Sequence, residues 1–268
     1  MHSTIIYLIV VFIYLAVAFD FWRAPKPATE HNLKLHSSMI ALGLLLHGGL
    51  LYESVISHGL NLGFYNALSL IFWLTLLIYW FANIKHHLQS LQAFVLPPAA
   101  LFALLPAFFV ENHYLSASVS SPLFVVHIVI AILAYSLFTF AALHALLMLI
   151  AERNLHQKTS LIKLPSFPPL MVMENLLFKV IGVGFILLTF TLISGMLFSE
   201  EIFGRPMQFS HKIIFSIASW LIYGGLLLGR FTYGWRGRKA IRWVLTGFVL
   251  LLLAYIGSKF VLEIVLHR

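Results

Sequence analysis

Long apolar runs separated by short polar connections dominate the pattern of this chain. A membrane-spanning helix needs about 20 predominantly apolar residues. We therefore predict eight membrane-spanning helices, near residues 4–21, 36–56, 62–82, 92–110, 122–150, 176–198, 209–230 and 241–266. The predicted fold class is an all-α integral membrane protein, a bundle of eight transmembrane helices in one domain over residues 1–268.

Two of the predicted spans depart from a uniform apolar helix. The fourth contains Pro97, Pro98 and Pro106, which a span tolerates where neighbouring helices satisfy the freed backbone groups. The first lacks the basic segment that precedes the apolar core of a secretory signal, and its charges follow it instead. We expect it to be a retained helix.

The basic residues fall mostly on one side of these spans, which predicts an orientation. Short loops rich in Lys and Arg stay cytoplasmic. The first, third, fifth and seventh connections and their edges carry Arg23, Lys26, Lys34, Lys85, Arg153, Lys158, Lys163, Lys179, Arg230, Arg236, Arg238, Lys239 and Arg242. The opposite side carries Arg205, Lys212, Lys259 and Arg268. We therefore predict that both termini face outward.

Composition narrows the class of function further. The chain is 61% hydrophobic and 10% charged, so lipid must cover much of its apolar surface. Its net charge of +8 is spread over four short loops rather than gathered on one domain, which argues against a nucleic-acid partner. The sequence contains no cysteine, which excludes disulfides, thiolate ligands and a C-x-x-C-H haem attachment site.

The thirteen histidines separate by their predicted depth. We expect those in or beside the cytoplasmic loops to be solvated or interfacial: His31, His36, His86, His87 and His156. Four others are candidate ligands. His127, His211 and His267 lie near outer span ends, and His47 lies near the middle of span 2 between glycines.

Imidazole is a common neutral ligand for iron, zinc and copper, and two imidazoles from facing helices can hold a haem axially. The three outer histidines could converge, with Lys212 pairing a haem propionate. Alternatively, each histidine hydrogen-bonds a neighbouring helix. No H-E-x-x-H motif supports a hydrolytic metal site.

Several segments in order resemble a known family. The segments are LNLGFYNALSLIFWL (60–74), SPLFVVHIVIAILAYSLFTFAALHALL (121–147), PPLMVMENLLFKVIGVGFILLTFTLISG (168–195) and the last two predicted spans with their W-R-G-R loop. Together they resemble the cytochrome c assembly family, the CcsA- and CcmC-like haem-handling membrane proteins. The resemblance is greatest to the YpjD-type inner-membrane subgroup and covers nearly the whole chain.

This resemblance implies a haem-binding or haem-handling protein of a bacterial inner membrane, linked to cytochrome c assembly. It implies non-covalent, b-type haem as cofactor and cytochrome c maturation components as partners. The family places an external haem ligand at the position of His127 and a lysine at that of Lys212. Members of the subgroup also place a histidine at the position of His47. We expect no bond-breaking chemistry by this chain, so it is not predicted to be an enzyme.

Two departures from the family keep a second function open. Haem-handling members carry a tryptophan-rich signature before span 7, where this chain reads EEIFGRPMQFSHK (200–212) without tryptophan. They also tend to carry a histidine at the position of Leu228. The alternative is a haem-free accessory or regulatory subunit of another membrane protein, such as an ion transporter.

Overall fold

The computed structural model describes residues 2–23, 33–57, 59–86, 88–109, 122–156, 169–203 and 211–254. Regular structure in these ranges is helical, apart from an isolated bridge between Ser57 and Gly59. The helices are α1 (His2–Arg23), α2 (Leu33–Leu51, continued by a π-helical turn Tyr52–Ile56), α3 (Phe64–His86), α4 (Gln89–Phe108), α5 (Pro122–His156), α6 (Leu170–Phe203), α7 (His211–Tyr233) and α8 (Gly237–Leu252).

Seven of these helices, α1 to α7, are long and apolar enough to cross a membrane. The prediction of an all-α integral membrane protein is thereby confirmed. The described part of α8 is a 16-residue α-helix, and the rest of the predicted eighth span, residues 255–266, lies outside the described ranges. Helix α4 is continuous through its three prolines. Helices α5 and α6 extend beyond the predicted spans, to His156 and from Leu170 to Phe203.

The chain forms two compact units. Unit 1 comprises residues 1–114 and 143–175, and unit 2 comprises residues 115–142 and 176–268. Within unit 1, α1 packs against α4 and α2, and α3 packs against α4. Two indole N–H groups of α3 bond to α2: Trp73 donates to the Leu44 carbonyl at 2.8 Å, and Trp80 donates to the Ser37 carbonyl at 3.1 Å. These bonds fix how the two helices pair.

The side chain of His36 on α2 bonds to two other helices of unit 1, and this overturns the prediction made for it. His36 was expected to be solvated or interfacial, but its side chain is buried. Its Nε2 lies 3.0 Å from Asp20 Oδ2 on α1, and its Nδ1 lies 3.3 Å from Gln92 Nε2 on α4. The prediction was wrong because α1 and α4 supply polar partners at this depth, and a polar group paired in this way can be buried.

Unit 2 is organised around the hairpin of α7 and α8. The ring of Tyr223 on α7 stacks on Phe138 of α5, with centroids 4.0 Å apart. The Ser219 hydroxyl donates to the Gly247 carbonyl of α8 at 2.9 Å. Gly247 allows this approach, because a Cβ there would lie 2.9 Å from Tyr223 Cζ. The connection between the helices is short and has left-handed backbone at Gly234 and Gly237, with φ of 64° and 55°.

Replacing Gly247 by leucine should destabilise unit 2. The new side chain would push against a buried aromatic stack, and overpacking of this kind costs about 1–3 kcal/mol. Gly182→Leu on α6 is the matched control, since a Cβ at Gly182 would have no atom within 4 Å. The free energy of unfolding, followed by tryptophan fluorescence in mixed detergent micelles, should fall for Gly247→Leu and stay within about 1 kcal/mol of wild type for Gly182→Leu. Equal stabilities of the two variants would contradict this packing.

Candidate functional site

His127 lies in the second turn of α5, where a hydrogen bond with Ser194 of α6 orients its ring. Its Nδ1 is 2.7 Å from the hydroxyl oxygen of Ser194. The single hydroxyl proton of Ser194 is directed at the Phe190 carbonyl, 2.6 Å away, in the preceding turn of α6. With its proton on that carbonyl, the serine oxygen accepts from His127, and Nδ1 carries the ring proton. In this tautomer Nε2 carries the lone pair, which is the form of imidazole that binds metals.

Phe124 and Gly195 lie beside the imidazole ring of His127. Phe124, one turn earlier on α5, stacks against the imidazole at an interplanar angle of 18° with centroids 6.1 Å apart. Gly195 of α6 lies beside the ring edge, where a Cβ would be 3.4 Å from His127 Cε1. The imidazole is thus half-buried between an aromatic ring and a serine–glycine pair. Sequence reasoning missed Ser194 and Gly195, although a serine–glycine pair in an otherwise apolar span was a usable signal.

Lys212 brings positive charge to the same end of unit 2. It is the second residue of α7, its side chain is exposed, and its ammonium group is close enough to act electrostatically on the His127 imidazole. His211 begins the helix and is also exposed. His267, the other predicted outer ligand, lies outside the described residues. Lys212 is therefore the one predicted outer residue for which the described part of the chain gives an electrostatic interaction with His127.

His47 has different surroundings, inside unit 1. Its side chain is fully buried, and each ring nitrogen has a hydroxyl partner: Ser69 Oγ lies 2.9 Å from Nε2, and Tyr14 Oη lies 3.5 Å from Nδ1. The room expected beside its glycines is filled by aromatic rings, with Tyr14 against Gly43 and Trp73 against Gly48. Binding iron through Nε2 would require Ser69 to give up its hydrogen bond.

His144 shows a similar helix-to-helix bond. It is fully buried in the C-terminal half of α5, and its Nε2 donates to the Met173 carbonyl of α6 at 2.9 Å. Imidazoles at this depth can thus act as connections between helices. Within the described residues, no three His, Asp or Glu side chains gather as they would around a metal ion. A metal-containing group held by one or two axial ligands has no need of such a cluster.

Leu228 stands at the position where haem-handling members of the family tend to carry a histidine. Its side chain is 66% exposed, on the outer surface of α7 near the end that carries Arg230. Arg230 itself turns inward, with its guanidinium 4.6 Å from the centroid of the Phe178 ring and one N–H donated to the Trp235 carbonyl. The residue that stands where family members tend to carry a histidine is therefore a surface leucine.

Comparison with known proteins identifies a family and several relatives. Residues 35–266 match the family described as Cytochrome C assembly protein. The chain is 34% identical to inner membrane protein YpjD of Escherichia coli over 166 residues, 62% of each chain. It is 38% identical to cytochrome c biogenesis protein CcsA of Prochlorococcus marinus over 95 residues, 35% of this chain and 30% of that one. For CcsA of Trichodesmium erythraeum the identity is 33% over 86 residues, 32% and 24% of the two chains.

These matches confirm the resemblance seen in the sequence, including the YpjD-type subgroup. The aligned segments span about three fifths of YpjD and less than a third of the CcsA proteins. The family match is broader, since it covers most of this chain. The chain belongs to the cytochrome c assembly protein family.

Proposed function

We propose that this protein binds haem non-covalently at the outer end of unit 2 and handles it for cytochrome c assembly. The observation that carries the proposal is the hydrogen bond from His127 to Ser194, which directs the ring proton to Nδ1 and the lone pair to Nε2. Metal-binding histidines characteristically donate their other ring N–H to a neighbouring acceptor. The family match supports a role in cytochrome c assembly.

The residues around His127 suit the parts of a haem. Haem, when bound, supplies an iron that takes axial nitrogen ligands, together with two propionate carboxylates. His127 would hold the iron of a bound haem, with His211 or His267 as the second ligand. Lys212 pairs a propionate, and Phe124 gives an aromatic surface near the ring. His47 is a second candidate ligand, for a haem bound within the membrane.

In the proposed role, the protein holds and positions haem but does not itself attach haem to an apocytochrome. Attachment to an apocytochrome needs thiols, and this chain has none, so they would come from the partner. We propose cytochrome c maturation components as partners and a bacterial inner membrane as the location, in line with the name of the E. coli relative. The proposed topology has eight spans with both termini outside, because the basic loops then face the cytoplasm.

A second function is favoured by one specific observation. The histidine that haem-handling relatives tend to carry late in span 7 is replaced here by the exposed Leu228. The stretch 200–212 also lacks tryptophan. A haem-free accessory or regulatory subunit of another membrane protein, such as an ion transporter, would need neither. Stable co-purification of such a partner in mild detergent, with a complex that takes up no added haem, would favour this function.

His127→Ala should remove most of the haem affinity, because it deletes the proposed axial nitrogen. The dissociation constant for haem is measured by optical titration of the purified protein in detergent. His86→Gln, at the far end of α3 in unit 1, is the control and should bind haem like wild type. Unchanged binding by a folded His127→Ala variant would end the ligand assignment.

Two milder changes test the surroundings of the ligand. Ser194→Ala removes the acceptor that orients His127, so haem affinity should fall about tenfold to a hundredfold. Lys212→Gln removes one propionate partner and should weaken binding about fivefold, whereas Lys212→Arg should restore it. Both are read in the same titration. If neither change altered the dissociation constant, haem would have to bind elsewhere.

Orientation can be tested cleanly because the chain contains no cysteine. Single substitutions Glu53→Cys, Lys85→Cys and Arg242→Cys place one thiol each at exposed sites. In intact spheroplasts, a membrane-impermeant maleimide should label Glu53→Cys and should label the other two only after lysis. Labelling of Lys85→Cys or Arg242→Cys before lysis would contradict the proposed topology.

A further inference from the structure

The connection between α7 and α8 is a compact turn built around one tryptophan. Helix α7 ends at Tyr233 and α8 begins at Gly237. Between them, the Trp235 N–H donates to the Gly229 carbonyl at 3.1 Å, and the Trp235 carbonyl accepts an N–H from Arg230 at 3.3 Å. The indole packs on Gly229, where a Cβ would clash with it. The turn is therefore held in one conformation against the end of α7.

This turn and the start of α8 carry more basic residues, relative to acidic ones, than the other basic connections do. Residues 202–262 contain no Asp or Glu. By contrast, the first connection contains Glu30 close to Asp20, the fifth is bounded by Glu152 and Glu174, and the third carries a single lysine. Four basic side chains between the two helices and in the first two turns of α8 are exposed: Arg236, Arg238, Lys239 and Arg242. Charge of this sign attracts an anion.

Lys239 and Arg242 also begin an exposed stripe along α8. The exposed positions that follow them are Thr246, Val249 and Leu253. Spacings of three and four residues keep all five on one face of the helix. The stripe thus changes from two cations to apolar side chains, and Val249 and Leu253 are about half exposed. From Arg242 to Leu253 it extends roughly 16 Å at 1.5 Å per residue, which is close to the roughly 15 Å of one bilayer leaflet.

The two cations of the stripe suit a phosphodiester. Side chains three residues apart on a helix are neighbours, with Cβ atoms about 5–6 Å apart, so Lys239 and Arg242 can both reach one phosphate. A guanidinium can bind two phosphate oxygens at once, and an ammonium adds a point charge. The Lys239 ammonium lies 3.7 Å from the centroid of the Trp235 ring, which keeps this charge beside the turn. Tryptophan is itself enriched at the level of the lipid headgroups.

We propose that the stripe Lys239, Arg242, Thr246, Val249 and Leu253 binds an anionic phospholipid, phosphatidylglycerol. The phosphodiester accepts from Lys239 and Arg242, and one acyl chain lies along Val249 and Leu253. Phosphatidylethanolamine and phosphatidylcholine contain the same phosphodiester, but each also brings a cationic nitrogen toward the two basic side chains. The stripe therefore favours the lipid with a net negative charge.

The test measures lipid binding to delipidated full-length protein by native mass spectrometry. Dioleoyl forms of phosphatidylglycerol, phosphatidylethanolamine and phosphatidylcholine are added in turn. Wild type should bind phosphatidylglycerol about tenfold or more tighter than the other two, since each basic residue beside an anionic headgroup contributes about fivefold. Soluble glycerophosphoglycerol at millimolar concentration should not displace the lipid, because it lacks the acyl chains. Equal binding of the three lipids, or displacement by the soluble headgroup, would overturn the proposal.

Four variants locate the effect. Lys239→Gln and Arg242→Gln should each weaken the binding of phosphatidylglycerol about fivefold and leave that of phosphatidylcholine unchanged. Arg242→Lys keeps the charge and should retain most of the affinity. Lys85→Gln is the matched control, since it removes an exposed cation from another basic connection and should keep the preference. A preference that survives in the double variant of Lys239 and Arg242, or an equal loss in Lys85→Gln, would overturn the assignment to α8.

Discussion

Hydrocarbon offers no hydrogen bonds, so a polar side chain within the membrane must find its partner within the protein, on its own helix or on another. This constraint governs the interior of both units. The imidazole of His47 lies between hydroxyls of α1 and α3, that of His144 donates to a carbonyl of α6, and that of His36 joins α1 and α4. These bonds fix which helices pair and at what depth. Much of the polar content of the spans is thereby used for packing.

His127 differs from the other three imidazoles in position and in bonding. It is half-buried near a helix end rather than fully buried, and its described partner on α6 is a serine whose own proton is directed elsewhere. One hydrogen bond therefore both holds the ring and selects the tautomer with a lone pair on Nε2. At His127 the same physical requirement orients the ring and its Nε2. The proposed role in haem handling rests on this difference.

The sequence predicted where the helices lie along the chain but not which helices pack against each other. Apolar length located α1 to α7, and the prolines of α4 were correctly read as tolerated within a span. Helix ends were less predictable, because α5 and α6 extend beyond their apolar runs. The burial of His36 was missed, since it depends on Asp20 and Gln92, which are 16 and 56 residues away. No local pattern reports a contact at such a separation.

For the candidate site, too, the sequence predicted individual residues but not their contacts with other helices. His127 and Lys212 were predicted from their places at span ends and supported by the resemblance to a family. Ser194 and Gly195 were not predicted, because their role depends on how α5 and α6 pack against each other. The glycines beside His47 suggested room for a planar ligand, yet aromatic rings from α1 and α3 occupy that room. Spacing along one helix predicts which side chains share a face of that helix. The three-dimensional structure is needed to show which side chains of other helices they contact.

The most direct test of the account is the absorption spectrum of the wild-type protein purified from haem-replete cells, recorded oxidised and after reduction with dithionite. The account predicts a Soret band and sharp reduced α and β bands, as expected for iron with two axial nitrogen ligands. A spectrum without haem absorbance, still blank after titration with haem, would contradict it and leave the histidines as packing residues.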